Sequence, residues 1–177
     1  HGSDKMLKLM RRGMKTDDIK RKIDKLRNIN PDICIRTSII VGHPGETDDE
    51  FQKLYDFVEE LKFDRLGVFT YSNEEGTYGF DTFEDDIPQQ VKYDRMDSIM
   101  LLQQDINLEK NNQLLGSKEK VIIDKFLNEN ESIGRTYRDS PDVDNTVVVR
   151  GRHKIGSFIN AKIIGASDYE LEAEIIN

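Results

Sequence analysis

Apolar positions recur at two different spacings along this chain, and the change of spacing divides it. Met6, Leu7 and Met10 form a helical stripe that Ser3 or Asp4 can cap, with Gly13 as a stop. Ile19, Ile23 and Leu26 repeat the helical pattern behind Thr16, with Asp17 and Asp18 suited to the positive end of the dipole. Ile33 to Val41 is a short β-branched run that ends in Gly42 and reads as a buried strand. Thr47 and Glu50 then stand at capping-box spacing ahead of Phe51, Leu54, Tyr55, Val58 and Leu61 on one helical side. A second strand follows from Leu66 to Tyr71. Residues 78–87 are polar and irregular, and Pro88 opens a long helix faced by Val91, Ile99, Leu102 and Ile106. Past Gly116 the period drops to two, in stretches 121–127, 133–137, 146–149, 158–164 and 169–176.

Strand, helix and strand over residues 33–71 predict parallel strands joined by a right-handed crossover, the unit of α/β sheets and barrels. Ligands in such folds sit at the carboxyl ends of the strands. Those ends are here Gly42 to Glu46 and Tyr71 to Thr77. The five later stretches predict a small antiparallel barrel of the OB type. The fold class is therefore α/β: part of a (β/α) barrel over residues 1–115, then a small β-barrel over 116–177.

Composition narrows the chemistry. The 177 residues carry a net charge of −8, which argues against a general binder of phosphate backbones. No apolar run reaches the roughly 18 residues of a membrane helix, so no membrane partner is expected. A single cysteine, Cys34, excludes an intrachain disulfide and points to a reducing, cytoplasmic setting. It reads as a small buried hydrophobe. Gly42-x-x-Gly45 lacks the Lys and Ser/Thr of a nucleotide loop and reads as a tight turn. Arg36 in an apolar strand asks for an acidic partner or a wet cavity. Glu74 and Glu75 read as a solvated loop, His43 and His153 as isolated side chains without metal-ligand spacing. Lys8, Arg11, Arg12 and Lys15 cluster where a helix C-terminus favours positive charge.

Several segments together resemble the methylthiotransferase branch of the radical S-adenosylmethionine (SAM) enzymes. Ser3 to Gly13 is similar to that family's SDKxLKxMRRG helix, and Thr37 to Thr47 to its TxxIVGxPGET stretch, with His43 where Phe is usual. Phe83 to Leu115 resembles the linker before the family's TRAM domain, and Gly134 to Asp144 the GRxYxDxPxxD stretch of that domain. Tyr71-Ser72-Asn73-Glu74-Glu75-Gly76-Thr77 and Arg36-Thr37 look like the branch that modifies an aspartate of small-subunit ribosomal protein S-twelve. The tRNA-modifying branch more often has YSxRxGT and Ser-Asp there. Residues 117–177 hold nine Lys and Arg against eleven Asp and Glu, a balance of −2 that suits a basic protein partner better than tRNA.

The resemblance implies SAM and two 4Fe–4S clusters in the full-length enzyme. A radical derived from SAM would abstract hydrogen from the aspartate β-carbon before the methylthio group is added. The cluster cysteines of the family have no counterpart here, so the chain is expected to be an inactive C-terminal piece that ligates no cluster itself. By the same resemblance Arg36, Ser38, Ile40 and Gly42 line the SAM side of the barrel mouth. Tyr71, Ser72, Glu74 and Glu75 lie near the substrate, and Arg135, Asp139 and Asp144 belong to the surface that docks the ribosomal protein. A tRNA methylthiotransferase and a non-enzymatic OB-like adaptor for RNA or protein are the alternative readings.

Overall fold

A computed structural model describes residues 1–176, which divide into two compact units, one ending at Gln103 and the other beginning at Gln104. In the first, α1 (Asp4–Leu9) starts on Ser3, whose Oγ accepts the Met6 N–H. The helix ends earlier than Gly13 suggested, because Arg11 takes the left-handed conformation (φ 53°). In α2 (Thr16–Ile29) the cap is Lys15, not Thr16. Thr16 uses both its N–H and its hydroxyl to donate to Asp4 Oδ1, at 2.7 and 2.8 Å, and so ties the two helices together.

The strands β1 (Arg36–Val41) and β2 (Arg65–Thr70) pair in parallel, with Ser38 opposite Gly67 and Ile40 opposite Phe69. Between them runs α3 (Asp48–Leu61), capped by Thr47 and buried through Leu54, Phe57, Val58 and Leu61. The crossover is thus as the spacing predicts, but β1 is not buried on both faces. Ile39 and Val41 enter the core while Arg36, Ser38 and Ile40 face outward. Cys34, just before β1, is only half-buried.

Glu50 departs from the expected capping box. Its carboxylate receives the Ser3 hydroxyl and, at 2.9 Å, the Lys53 ammonium. The Ser3 hydrogen bond first, then Lys53, holds this carboxyl below its usual 4.5 against the opposing effect of burial. The folded chain therefore binds fewer protons here than the unfolded chain. This contribution to stability is complete above about pH 4.5 and is lost as pH falls through the depressed folded value. Urea midpoints measured between about pH 3 and 7 are expected to fall less steeply on the acid side for Glu50→Gln than for the parent.

Residues 78–87 are not wholly irregular. Thr77 caps the single turn α4 (Tyr78–Thr82) by accepting the Phe80 N–H, a helix too short to leave a periodic pattern. The long helix α5 (Gln89–Gln113) spans the division between the units. In the first unit it buries Ile99 together with Lys92, Arg95 and Gln103, and in the second Ile106 together with Asn107 and Asn111.

The second unit is a closed ring of β3 (Lys118–Phe126), β4 (Glu131–Arg135), β5 (Thr146–Arg150), β6 (Phe158–Ala166) and β7 (Glu170–Ile175), in the order β3-β4-β5-β7-β6. Its core is Val121, Ile123, Val147, Val149, Ala161, Ile163, Leu171 and Ala173. The expectation of a wholly antiparallel barrel needs correcting, since β5 and β7 run parallel. Each antiparallel neighbour reverses direction, so an odd number of strands cannot alternate around a closed ring. One parallel pair restores closure. The alternation expected from Tyr169 to Ile176 holds at its centre, where Leu171 and Ala173 point inward, whereas Tyr169 and Ile175 are exposed.

Candidate functional site

The outward face of β1 and β2 is the wall of a cavity of about 980 Å³ at the carboxyl ends of both strands. Ser38 and Ile40 come from β1, Phe69 and Thr70 from β2, and Tyr71, Ser72, Glu74 and Thr77 from the segment that follows. Leu7, Met10, Arg11 and Arg12 close it from α1 and the turn behind it. Parallel pairing is what brings the two strand ends to one place. The volume is at the upper end of the range of small-molecule and cofactor sites, and the lining is mixed in the same way: apolar walls with a few polar groups.

Below the rim, the Gly42–Glu46 turn is held by buried charge. Glu46 Oε1 accepts the Gly42 N–H at 2.9 Å and Arg95 Nη1 at 2.9 Å. Arg95 also donates to the Glu46 carbonyl at 3.0 Å and to Asp48 at 2.7 Å. Gly42 adopts φ +75°, and a Cβ there would meet Lys92 Cβ at 3.0 Å. Lys92 is itself buried, paired with Asp85 (2.6 and 2.7 Å) and reaching the Tyr71 carbonyl at 3.4 Å. Lys92 thereby fixes the end of β2 from beneath the cavity.

The structure gathers part of each expected set. Ser38, Ile40, Tyr71, Ser72 and Glu74 share the cavity. Arg36 lies at the opposite, amino-terminal end of β1, exposed and paired in register with Arg65. Gly42 is buried under the turn, and Glu75 is exposed outside the lining. In the barrel, Arg135 is paired with Asp124, and both border a second cavity with Asp144. Asp139 is buried and accepts the Thr136 hydroxyl at 2.7 Å; Asp144 accepts the Ser140 N–H at 2.6 Å.

Several cavity residues had no role at the site in the sequence. Arg11, read from the sequence as a helix-end charge within the Ser3–Gly13 segment, stacks over the Tyr78 ring at 3.3 Å, a cation–π contact. His43, read as isolated, is 6% exposed and forms part of the cavity wall. Its ring packs edge-on against Tyr71 and Phe83, and its Nδ1 lies 2.8 Å from the Pro44 carbonyl. Apart from Pro44, these neighbours are distant in sequence, so nothing local announced them.

The residues fit a nucleoside-bearing sulfonium cofactor such as SAM: an apolar wall of Ile40, Phe69 and Leu7, with hydroxyl and carboxylate groups at Ser38, Ser72 and Glu74. They do not fit an iron–sulfur cluster, which takes about four thiolate positions. Cys34 is the one cysteine of the chain, and no group of three or more His, Cys, Asp or Glu suited to a metal ion occurs among the described residues. Nor, among them, is any helix long and apolar enough to cross a membrane.

The chain is similar over its length to proteins named ribosomal protein uS12 methylthiotransferase RimO. That of Bacteroides thetaiotaomicron is 44% identical over 180 positions, which take in 100% of this chain and 41% of that protein. The Cytophaga hutchinsonii protein is 46% identical, covering 99% of this chain and 40% of its own length. The Thermotoga petrophila protein is 41% identical with the same coverage. The chain thus spans about two fifths of the length of the curated relatives it matches. The radical SAM superfamily matches residues 1–58, the segment that builds β1, the Gly42–Glu46 turn and one side of the cavity. The TRAM domain matches residues 115–176, the closed barrel. The chain therefore joins a radical SAM superfamily segment to a TRAM domain.

Proposed function

We propose that this chain supplies the C-terminal part of a radical SAM enzyme that methylthiolates an aspartate β-carbon of ribosomal protein uS12. One observation carries the reading: in a chain 44% identical over its full length to a uS12 methylthiotransferase, the two motif-bearing strand ends converge on one cofactor-sized cavity. In this reading residues 1–115 belong to the radical SAM barrel with its linker helix, and 116–177 to the TRAM domain. SAM and two 4Fe–4S clusters, the latter held outside this chain, supply the radical and sulfur chemistry. The chain's own residues bind and orient. Ser38 and Ile40 contact SAM from β1, with Gly42 shaping the turn beneath and Arg36 held on the same strand face. Tyr71, Ser72 and Glu74 define the substrate side, where Ser72 donates to Glu74 at 2.6 Å. Glu75, exposed beside them, favours a basic partner at the rim. On the barrel, the segment carrying Arg135, Asp139 and Asp144 docks the ribosomal protein, helped by the exposed Glu170 and Glu172 of β7. The assignment also places the protein in the cytoplasm, where ribosomes are modified.

Deleting the gene and weighing uS12 by mass spectrometry tests this. Loss of the methylthio increment is the expected result. Persistence of the increment overturns the reading, and loss of a tRNA methylthio group in its place moves the substrate to tRNA.

A further inference from the structure

We infer that His43 presents Nε2 into the cavity as a hydrogen-bond acceptor that orients an N–H or O–H group of the bound cofactor. The inference rests on the cofactor assignment above and deepens it. Its starting point is the partner of the other ring nitrogen. The Pro44 carbonyl, 2.8 Å from Nδ1, can only accept, so Nδ1 carries the proton. In a neutral imidazole the second nitrogen is then a lone-pair acceptor. His43 is 6% exposed and is one of the residues that line the cavity, so a donor bound there is within the ring's reach.

The surroundings keep the ring neutral and still. Burial pushes its pKa below the usual 6.5. The Pro44 hydrogen bond, Glu46 and Asp85 act in the opposite direction, and His1 adds to the lowering. Tyr71 and Phe83 hold the ring edge-on from two sides, at centroid distances of 4.9 and 5.5 Å. Behind it, Glu46 fixes the turn through Gly42 and Arg95. A preorganised neutral acceptor favours an amine or hydroxyl and disfavours a carboxylate, whose oxygens would oppose the lone pair. His43 is therefore a positioning residue for the cofactor, and the negatively charged substrate side chain is steered elsewhere in the cavity.

The test uses the full-length enzyme that contains this chain, with ¹⁵N-labelled histidine and three probes: SAM, adenosine and methionine. The free enzyme is expected to show His43 in the Nδ1–H tautomer, with Nε2 at the shift of an unprotonated nitrogen. SAM should move the Nε2 resonance toward that of a hydrogen-bonded acceptor. Whichever of adenosine or methionine reproduces the shift identifies the half of the cofactor that donates. His43→Phe keeps the edge-on packing and removes the acceptor, and is expected to weaken SAM binding about tenfold. His43→Gln, which carries an acceptor near the Nε2 position, should recover most of that loss; His43→Asn, which mimics Nδ1, should not. A purely structural His43 gives the reverse order of rescue and an unmoved Nε2 resonance on SAM binding, and either result overturns the inference. Failure of the parent enzyme to bind SAM overturns the cofactor assignment and the inference with it. The ¹⁵N readout on the parent enzyme stands even if a variant fails to fold.

Discussion

Replacing Arg95 with Met is expected to destabilise the first unit by about 3–5 kcal/mol, the range for removing one partner of a buried ion pair. Glu46 is fully buried at its side chain, and Arg95 nearly so, with the guanidinium 2.9 Å from Oε1. Met matches much of the volume of Arg, so the loss is electrostatic more than a cavity effect. What remains is a carboxylate with the Gly42 N–H and His1 but without its compensating cation. The second Arg95 contact, to Asp48, adds little, because that carboxylate is almost fully solvated. Urea denaturation of the parent, Arg95→Met, Glu46→Gln and the double variant gives the coupling directly. The double variant should be more stable than Arg95→Met alone, since a neutral amide oxygen still accepts the Gly42 N–H. A loss below about 1 kcal/mol for Arg95→Met would show that the turn beneath the cavity is held by packing and not by this pair. The consequence for function is direct, because the same turn carries His43 into the cavity wall.

This pair also shows where the sequence stops being readable. Thr47 as a helix cap, the glycine turn after β1 and the parallel crossover are decided within a few residues of one another, and periodicity and spacing reveal them. The buried face of α5 is different. Lys92, Arg95, Gln103, Asn107 and Asn111 lie on it, yet polar residues at helical spacing ordinarily mark a solvated face. Most of their partners come from far along the chain: Glu46 for Arg95, the Phe63 carbonyl for Gln103 and the Ser167 carbonyl for Asn111, while Lys92 pairs with Asp85 from the irregular segment just before the helix. Only the fold brings the distant partners together, so no local pattern predicts them. The candidate site divides the same way. Ser38, Ile40, Tyr71, Ser72 and Glu74, expected at the site, reached the cavity, whereas Arg11, Tyr78 and His43, given no site role by the sequence, line it through tertiary contacts. Arg36 illustrates the converse: strand parity puts it on the same face as Ser38 and Ile40, but two pleats from the open end.

Replacing Gly134 with Ala is expected to destabilise the barrel by about 3 kcal/mol, the upper part of the range for overpacking a closed interior. Gly134 lies in β4 opposite Ile123 and Val147, with no positive φ to excuse a glycine. The reason is space. Gly134 faces the paired strand β3 at Ile123, and the Ile122 backbone lies close against it. A Cβ would collide with the Ile122 carbonyl oxygen and stand 2.7 Å from Val121 Cγ1. Neither neighbour can swing aside: one is backbone within a strand pair, the other a fully buried core side chain. Gly116→Ala supplies the contrast. It has φ +82° but nothing within 4 Å of the new Cβ, so its cost is conformational and about 1 kcal/mol. Thermal melts of the two variants should therefore separate steric from conformational cost, with Gly134→Ala the lower melting by a clear margin. Equal melting temperatures would mean that β3 and β4 slide to a new register to admit the methyl group. A slide of one residue would turn Ile133 and Arg135 to the opposite faces of β4. It would also break the Arg135–Asp124 pair at the edge of the second cavity. The close approach at Gly134 is thus what fixes the direction in which the proposed docking residue Arg135 points.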